Sequence, residues 1–457
     1  MKKFYFLALM AIVAVSCQRE VEIIDPVSIP TDDVVQETTS VNVRSYDEAL
    51  AIAEEALQMV DGEDTRSGHK RTIKRDEGQI VMSPVTRNGE AEPIMYVFNN
   101  ENNEGFTIVA AQKNKQPLIA VTESGNYTYG EPTGVEPFDL LMEDLARDLI
   151  IDIPNPISPY LVVIENEWHK GYESTTNIKW GTGAMYGAYY PDGVAYDEAA
   201  AIAQALMSVH SDITYEITNP NSPLYGQIIN MDKAELKNHI RYDHFGQAIN
   251  LCNDDTHQKI SLLYLEIGYR LSNGTNISLA NKNSSFTIDK IRDTYASFGP
   301  QLTGIYYFNG DTITPRVYKF FHTYRKDIFV FNGYTTSLLG LPEGGYAHTW
   351  IATGFDDYTY DVVEYTQNRM LDPNHPLPDE YTETRRETKQ DFMLWMNWGY
   401  DGISNGWFHS GCFDMSNRVN ESTDGFIITE EYDYNFDEIS YFSALEYPLT
   451  DYPLVEM

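Results

Sequence analysis

Two short segments near the carboxyl end constrain the fold of this chain more than any other feature. Residues 347–351 read Ala-His-Thr-Trp-Ile, which places His348 in an apolar run typical of a strand. Residues 397–402 read Asn-Trp-Gly-Tyr-Asp-Gly and begin with Asn397. A histidine followed by an asparagine is the order in which an imidazole, and the amide that fixes its tautomer, serve a cysteine nucleophile. The two segments therefore predict a fold that brings a strand, a later turn and a third, nucleophile-bearing element together.

The amino terminus has the features of a bacterial lipoprotein signal. Two lysines precede an apolar run over residues 4–15 that is too short to span a bilayer. The small residue Ser16 then precedes Cys17, and a polar stretch follows. We expect removal of residues 1–16 and a lipid on Cys17 as the membrane anchor, which would hold the protein in the cell envelope, at the outer membrane or the cell surface. Ordinary cleavage to a soluble secreted form is the alternative.

The composition limits the kinds of partner. The net charge is −36, which argues against nucleic-acid binding and suits a solvated extracytoplasmic surface. Hydrophobic residues make up 42% of the chain, enough to fill a sizeable core. Besides Cys17 there are only Cys252 and Cys412, which are one possible pair and no disulfide framework. No clustered Cys/His pattern is present, so the sequence predicts neither a metal site nor a cofactor.

The order of periodic segments predicts an α+β protein in three parts. Residues 17–45 are polar and acidic and predict a flexible tether. Residues 46–155 predict a small unit, and its elements are a helix over 46–57, strands over 93–99, 105–111 and 117–122, and a helix over 138–150. Residues 156–457 predict a larger body with two lobes and a cleft between them, and its elements are helices over 196–209 and 257–270 followed by strands over 328–331, 348–354 and 392–398.

This pattern resembles the streptopain and interpain family of secreted, papain-like cysteine peptidases. The propeptide of that family has a Tyr-Val-Phe-Asn strand and then a Gly-Phe-x-Ile-Val strand, which residues 96–99 and 105–109 match. Its Gly-His-Ala-Trp-Val strand and its Asn-Trp-Gly-Trp-x-Gly segment are similar to residues 347–351 and 397–402. The resemblance implies a two-lobed papain-like peptidase body preceded by an inhibitory-propeptide-like domain. It also implies that His348 and Asn397 are retained catalytic positions and that Trp398 shields their contact from water.

The resemblance further implies that two other catalytic positions have changed. The nucleophile helix of the family begins Gly-Cys-Val-Ala-Thr-Ala-x-Ala-Gln, and alignment on its final Ala-Gln places Asp197 at the cysteine. The family's Trp-Gly-Gln, whose glutamine donates to the oxyanion, is Trp-Gly-Thr here, with Thr182 at the glutamine position. Loss of a nucleophile costs roughly 10⁶ in rate, and loss of one oxyanion donor costs about 10²–10³. These magnitudes predict that the protein does not hydrolyse amides.

Two classes of function remain open from the sequence. The first is a monomeric, non-catalytic lipoprotein that binds peptides, a protease or an inhibitor through its cleft. The second is an active secreted cysteine endopeptidase made as a propeptide-inhibited zymogen. For the second class Cys252 or Cys412 would have to be the nucleophile, but the first precedes the wrong helix and the second follows the Asn segment. Selective reaction of a thiol with an alkylating electrophile would distinguish the two classes.

Overall fold

The structure is a computed structural model of the chain. It describes residues 43–61, 70–83, 91–151, 160–168, 178, 180–183, 186–190, 193–209, 212–220, 222, 224–232, 240–242, 248–250, 254–274, 286–302, 306–307, 328–334, 347–367, 381–409 and 438–445. The signal segment with Cys17, and also Cys252 and Cys412, lie outside the described residues. The predictions of lipidation, of the tether and of a possible disulfide therefore stay predictions.

The amino-terminal unit contains the helices and strands that the sequence predicts, with one strand added. Its elements are α1 (Tyr46–Asp61), β1 (Gln79–Met82), β2 (Pro93–Asn99), β3 (Phe106–Ala110), β4 (Leu118–Thr122) and α2 (Glu136–Ile151). Helix α1 begins where Ser45 and Glu48 cap it reciprocally. The Ser45 hydroxyl accepts from the Glu48 backbone N–H at 3.2 Å, and the Glu48 carboxylate accepts from the Ser45 N–H at 2.7 Å. This capping box satisfies two helix-end groups that would otherwise lack partners.

The larger body contains three described helices and a set of strands of very unequal length. Its helices are α3 (Asp197–Val209), α4 (Asp254–Leu271) and α5 (Ile288–Ala296). Its strands are β5 (Tyr160–Trp168), β6 (Asp212–Glu216), β7 (Ile228–Asp232), β8 (Ile240–Tyr242), β9 (Ala248–Asn250), β10 (Gln301–Leu302), β11 (Tyr306–Tyr307), β12 (Ile328–Tyr334), β13 (Ala347–Gln367), β14 (Tyr381–Asn397), β15 (Gly406–His409) and β16 (Glu438–Leu445). The mixture confirms the α+β class predicted from the sequence.

A single sheet joins the amino-terminal unit to the body. Twelve of the described strands belong to it, and its main order is β1-β2-β3-β4-β15-β14-β13-β12-β16-β10. The junction is the antiparallel pairing of β4 with β15, in which Val121 faces Trp407. Strand β5 pairs with the outer half of β13, while β6–β7 and β8–β9 form two small separate sheets. Strand β13, which carries His348, therefore lies inside the sheet between β12 and β14.

Three groups of buried side chains fill the spaces around this sheet. One group surrounds α3 and α4 and reaches Val330 and Ile351 on the sheet. Helix α3 can approach the sheet closely because its buried side chains include five alanines, which are Ala199, Ala200, Ala201, Ala203 and Ala205. The other two groups lie on opposite faces of the sheet, one beneath α2 and the other beneath α1. The close approach of α3 sets the first turn of this helix beside His348.

Candidate active site

Asp197 and His348 form a direct side-chain pair. Asp197 is the first residue of α3, and His348 is the second residue of β13. The His348 Nδ1 atom lies 2.8 Å from Asp197 Oδ2. The imidazole is almost fully buried, with 1% of the side chain exposed, whereas 27% of the Asp197 side chain is exposed. The aspartate therefore stands between the buried imidazole and solvent, in the position that the family alignment assigns to the nucleophile.

The second ring nitrogen of His348 also has a hydrogen-bond partner. His348 Nε2 lies 2.9 Å from the backbone carbonyl oxygen of Trp398. A carbonyl oxygen can only accept a hydrogen bond, so Nε2 carries a proton. A further proton then lies between Nδ1 and the Asp197 carboxylate, since neither a bare nitrogen nor a bare carboxylate can donate. Both ring nitrogens of His348 are therefore engaged, one with Asp197 and the other with the Trp398 carbonyl.

Aromatic rings enclose the imidazole. The His348 ring is stacked on Trp350, with ring centroids 5.9 Å apart and an interplanar angle of 7°, and Tyr400 lies 5.7 Å away. Trp350 in turn contacts Trp398 at 5.6 Å. The Trp398 indole N–H donates to the Ser404 carbonyl at 3.1 Å, which fixes the orientation of that ring. These rings keep water from the buried side of the pair and so strengthen its electrostatic attraction.

Asn397 is buried, but its side-chain hydrogen bonds lead away from His348. Its Nδ2 donates to Gln204 Oε1 at 2.7 Å and to the Ile178 carbonyl at 3.0 Å, and its Oδ1 accepts from the Gly399 N–H at 3.0 Å. The expected contact between His348 and Asn397 is not among these bonds, and the carbonyl of Trp398 faces the imidazole instead. The role that the resemblance implies for Trp398, to shield a His–Asn contact, stays a prediction.

Gln204 is a buried residue that links three segments at the site. The sequence analysis treats it only as the end of the Ala-Gln motif and does not predict this link. Its Oε1 accepts both from Asn397 and, at 3.0 Å, from the Trp180 N–H. Because the side chain is 1% exposed, both bonds are shielded from water. Gln204 therefore ties α3, the segment of Trp180 and the end of β14 to one another. Its recurrence in the family's Ala-Gln motif was the one sequence signal that could have indicated this role.

Thr182 lies in the short segment 180–183, next to a carboxyl group that sequence reasoning also missed. The Thr182 carbonyl accepts from the Ala195 N–H at 2.8 Å, which holds the segment close to the start of α3. A Cβ on the neighbouring Gly181 would stand 2.5 Å from Asp401 Oδ1, so only glycine fits there. Burial raises the pKa of Asp401, while a hydrogen bond with Tyr186 opposes the shift. A carboxyl and a hydroxyl therefore occupy the region where the family places an amide donor.

Glu198 follows Asp197 but points into the interior. It is buried, and its Oε1 accepts from the Phe286 N–H at 3.5 Å. Burial, and then the neighbouring charge of Asp197, raise the pKa of Glu198 to about 8. Glu198 is therefore mainly uncharged at neutral pH, and the negative charge in this turn resides on Asp197.

No group of three or more His, Cys, Asp or Glu side chains in the described part of the chain is arranged to hold a metal ion. None of its helices combines the length and the apolar character needed to cross a membrane.

Comparisons with known proteins bear on the amino-terminal unit. Residues 35–148 match the family model of the Spi protease inhibitor, which describes the propeptide of streptopain- and interpain-type peptidases. Among solved structures, a fragment of prointerpain A from Prevotella intermedia is similar at 14% identity and a TM-score of 0.42, over 80% of this chain and 98% of that one. No curated protein matches the chain. The resemblance of the amino-terminal residues 35–148 to the propeptide of the streptopain and interpain family is confirmed.

Proposed function

We propose that this chain, whose residues 35–148 match the Spi protease inhibitor family model, is a catalytically inactive relative of the streptopain and interpain peptidases. It is anchored to the cell envelope by lipid on Cys17. It acts by binding a peptide, a protease or an inhibitor through the cleft in which Asp197 is exposed. The observation that carries this proposal is the 2.8 Å pair between Asp197 and His348.

The pair supports inactivity because Asp197 stands at the nucleophile position and engages the imidazole that would otherwise activate a thiol. A papain-type site uses an imidazole beside a thiolate, and the thiolate attacks the carbonyl carbon. Here the carboxylate of Asp197 faces the imidazole of His348, and a carboxylate attacks an amide poorly. Its charge also opposes the oxyanion that would form next to it. Thr182 lacks the amide donor that would offset that charge, and such a donor is worth about 10²–10³ in rate.

The same pair supports retained binding because it can reproduce the charges of the thiolate–imidazolium pair in a papain-type site. A thiolate beside an imidazolium carries one negative and one positive charge, and so does a carboxylate beside an imidazolium. A ligand in the cleft would therefore meet the same pattern of charge, while no group attacks it. The exposed part of Asp197 gives such a ligand access to the negative member of the pair.

The proposal predicts binding without turnover. A fluorescein-labelled casein digest serves as the probe, and fluorescence anisotropy reports its binding. We expect the unmodified protein to bind the probe and to leave it uncleaved, as judged by gel electrophoresis after a long incubation. Asp197→Lys places a positive charge against His348 and should weaken binding at least tenfold.

A matched control separates the cleft from the general charge of the surface. Glu383→Lys makes the same change in charge on the exposed part of β14, where Glu383 pairs with Arg386, and it should leave binding of the probe unchanged. Equal loss of binding in both variants would show that the probe responds to net charge and would overturn the proposal of a binding cleft. Cleavage that disappears after alkylation of Cys252 or Cys412 would establish the zymogen alternative instead.

A further inference from the structure

The seam between the amino-terminal unit and the body is built on backbone pairing. Strand β15 has β14 of the body on one side and β4 of the unit on the other. The pairing is so close at Gly406 that a Cβ there would overlap the carbonyl oxygen of Val121. The Glu123 N–H continues the seam by donating to the Asn405 carbonyl at 2.9 Å. The outer edge of β4, which a separate unit would expose, is thus covered by the body.

On one face of the sheet, α2 of the unit packs on aromatic residues of the body. The Phe138 ring contacts Phe408 at 6.1 Å and Trp398 at 6.5 Å, both edge to face. All three side chains are completely buried. Trp398 is also the residue whose carbonyl accepts from His348, so the unit supports the candidate site directly. Removal of α2 would expose this apolar surface to water.

On the opposite face, α1 and its strands cover two more tryptophans of the body. Trp395 and Trp407 lie in the same buried group as Phe98 and the apolar face of α1. The Trp395 indole N–H donates to Glu123 of the unit at 2.9 Å. The Ser124 hydroxyl donates to the Gly402 carbonyl at 2.6 Å. The unit therefore completes the core of the body on both faces of one sheet.

We infer that the amino-terminal unit, residues 43–151, is a permanent structural part of this protein and not a segment that proteolysis releases. A cut between the unit and the body leaves the two pieces associated, because separation would open an aromatic core on two faces and a row of backbone pairs between them. The occupied edge of β4 likewise leaves this strand unable to pair with a second protein. The inference holds whether or not the cleft is catalytic, since the seam contains neither Asp197 nor His348.

The test is to cut the full-length chain and to ask whether the pieces separate. A recognition site for a sequence-specific protease is inserted between Ile151 and Tyr160, and complete cleavage is verified by denaturing electrophoresis. We expect the cut protein to elute from a size-exclusion column as one species with an unchanged circular dichroism spectrum. The two pieces should part only in denaturant, in the same transition that unfolds the body. Separation under native conditions, with the piece from residue 160 onward still folded, would overturn the inference.

Two variants show whether the seam is what holds the pieces together. Phe138→Ala removes the central contact of α2 with the body, and it should lower the denaturant midpoint at which the cut pieces separate. Tyr264→Ala removes an equally buried ring from the core around α4, a buried group separate from the two that contain the seam. We expect the Tyr264 variant to lower the unfolding midpoint of the body without allowing the cut pieces to part before that transition. Early separation in the Tyr264 variant alone would contradict the role given to the seam.

Discussion

Replacement of Glu198 by glutamine should stabilise the protein, and the gain should grow with pH. The folded protein raises the pKa of Glu198 to about 8, from an ordinary value of 4.5. The folded state therefore holds one more proton than the unfolded state between these two pH values. The stability that this neutral carboxyl gives is complete below pH 4.5 and is lost as the pH rises towards 8.

The size of the effect follows from proton linkage. Each unit of pH between the two pKa values costs about 1.4 kcal/mol, so the loss at pH 7 is about 3 kcal/mol and near pH 8 about 5 kcal/mol. Glutamine is neutral at every pH and keeps the oxygen that accepts from the Phe286 N–H. The Glu198→Gln variant should therefore match the unmodified protein near pH 4.5 and exceed its stability at pH 7.

Denaturant unfolding followed by circular dichroism from pH 4.5 to 8 measures this difference directly. Glu266→Gln is the matched control, because Glu266 is equally buried but is paired with Arg270 at 2.9 Å. Loss of its charge removes the carboxylate that pairs with Arg270, whose guanidinium then keeps only neutral acceptors on Ser297 and Glu216, and should destabilise the fold by about 3 kcal/mol. A Glu198→Gln variant that is less stable at pH 7, or whose gain does not change with pH, would refute the account of a neutral buried carboxyl.

The remaining predictions concern the catalytic positions and their surroundings. Asp197→Cys alone should recover little peptidase activity, measured with a fluorogenic peptide mixture, whereas Asp197→Cys with Thr182→Gln should recover more, because it restores both a thiol and an oxyanion donor. Equal rates for the single and the double variant would show that Thr182 is not the oxyanion position. Gly181→Ala should cost about 1–3 kcal/mol of unfolding free energy, because the new Cβ meets the side chain and the backbone N of Asp401, and Asp401→Gly should relieve the side-chain part of that loss. Additive effects of these two changes in a double-mutant cycle would contradict the clash.

Most of the amino-terminal unit could be predicted from the sequence because its elements are short and locally encoded. Strand β2 is a continuous apolar run, buried from Ile94 to Phe98 and bounded by Pro93 and an Asn-rich turn, and its observed limits equal the predicted residues 93–99. Helix α1 has both its apolar face and a capping box within its first residues. Such signals need no information from distant parts of the chain.

The outer half of β14 could not be predicted because it lacks an apolar period. Residues 383–388 of β14 are all exposed. Because none of them faces a core, their sequence shows no alternation of apolar and polar residues. Cross-strand pairs hold them in register instead, as when Arg386 binds Asp361 at 2.8 Å and Arg385 binds Glu364 at 3.3 Å. Such pairs join residues far apart in sequence, and their register is set only when the strands meet.

The candidate site was predictable in its residues but not in its hydrogen bonds. The order of motifs along the chain was enough to place Asp197 beside His348. The partner of Asn397 was not predictable, because a buried amide bonds to whichever acceptor the fold places nearest. Here Gln204, which lies 193 residues earlier in the chain, provides that acceptor. The position of the Asp401 carboxyl beside Gly181 was equally unpredictable, because this contact also joins residues far apart in the chain.

Hydrolysis by the purified protein, with and without His348, tests the central claim most directly. The unmodified protein and its His348→Ala variant are compared on a fluorogenic peptide mixture, each before and after treatment with a thiol-alkylating reagent. If Asp197 has replaced the nucleophile, all four samples will show the rate of buffer alone. Turnover by the unmodified protein that is lost both in His348→Ala and on alkylation would contradict the claim and identify a working cysteine peptidase.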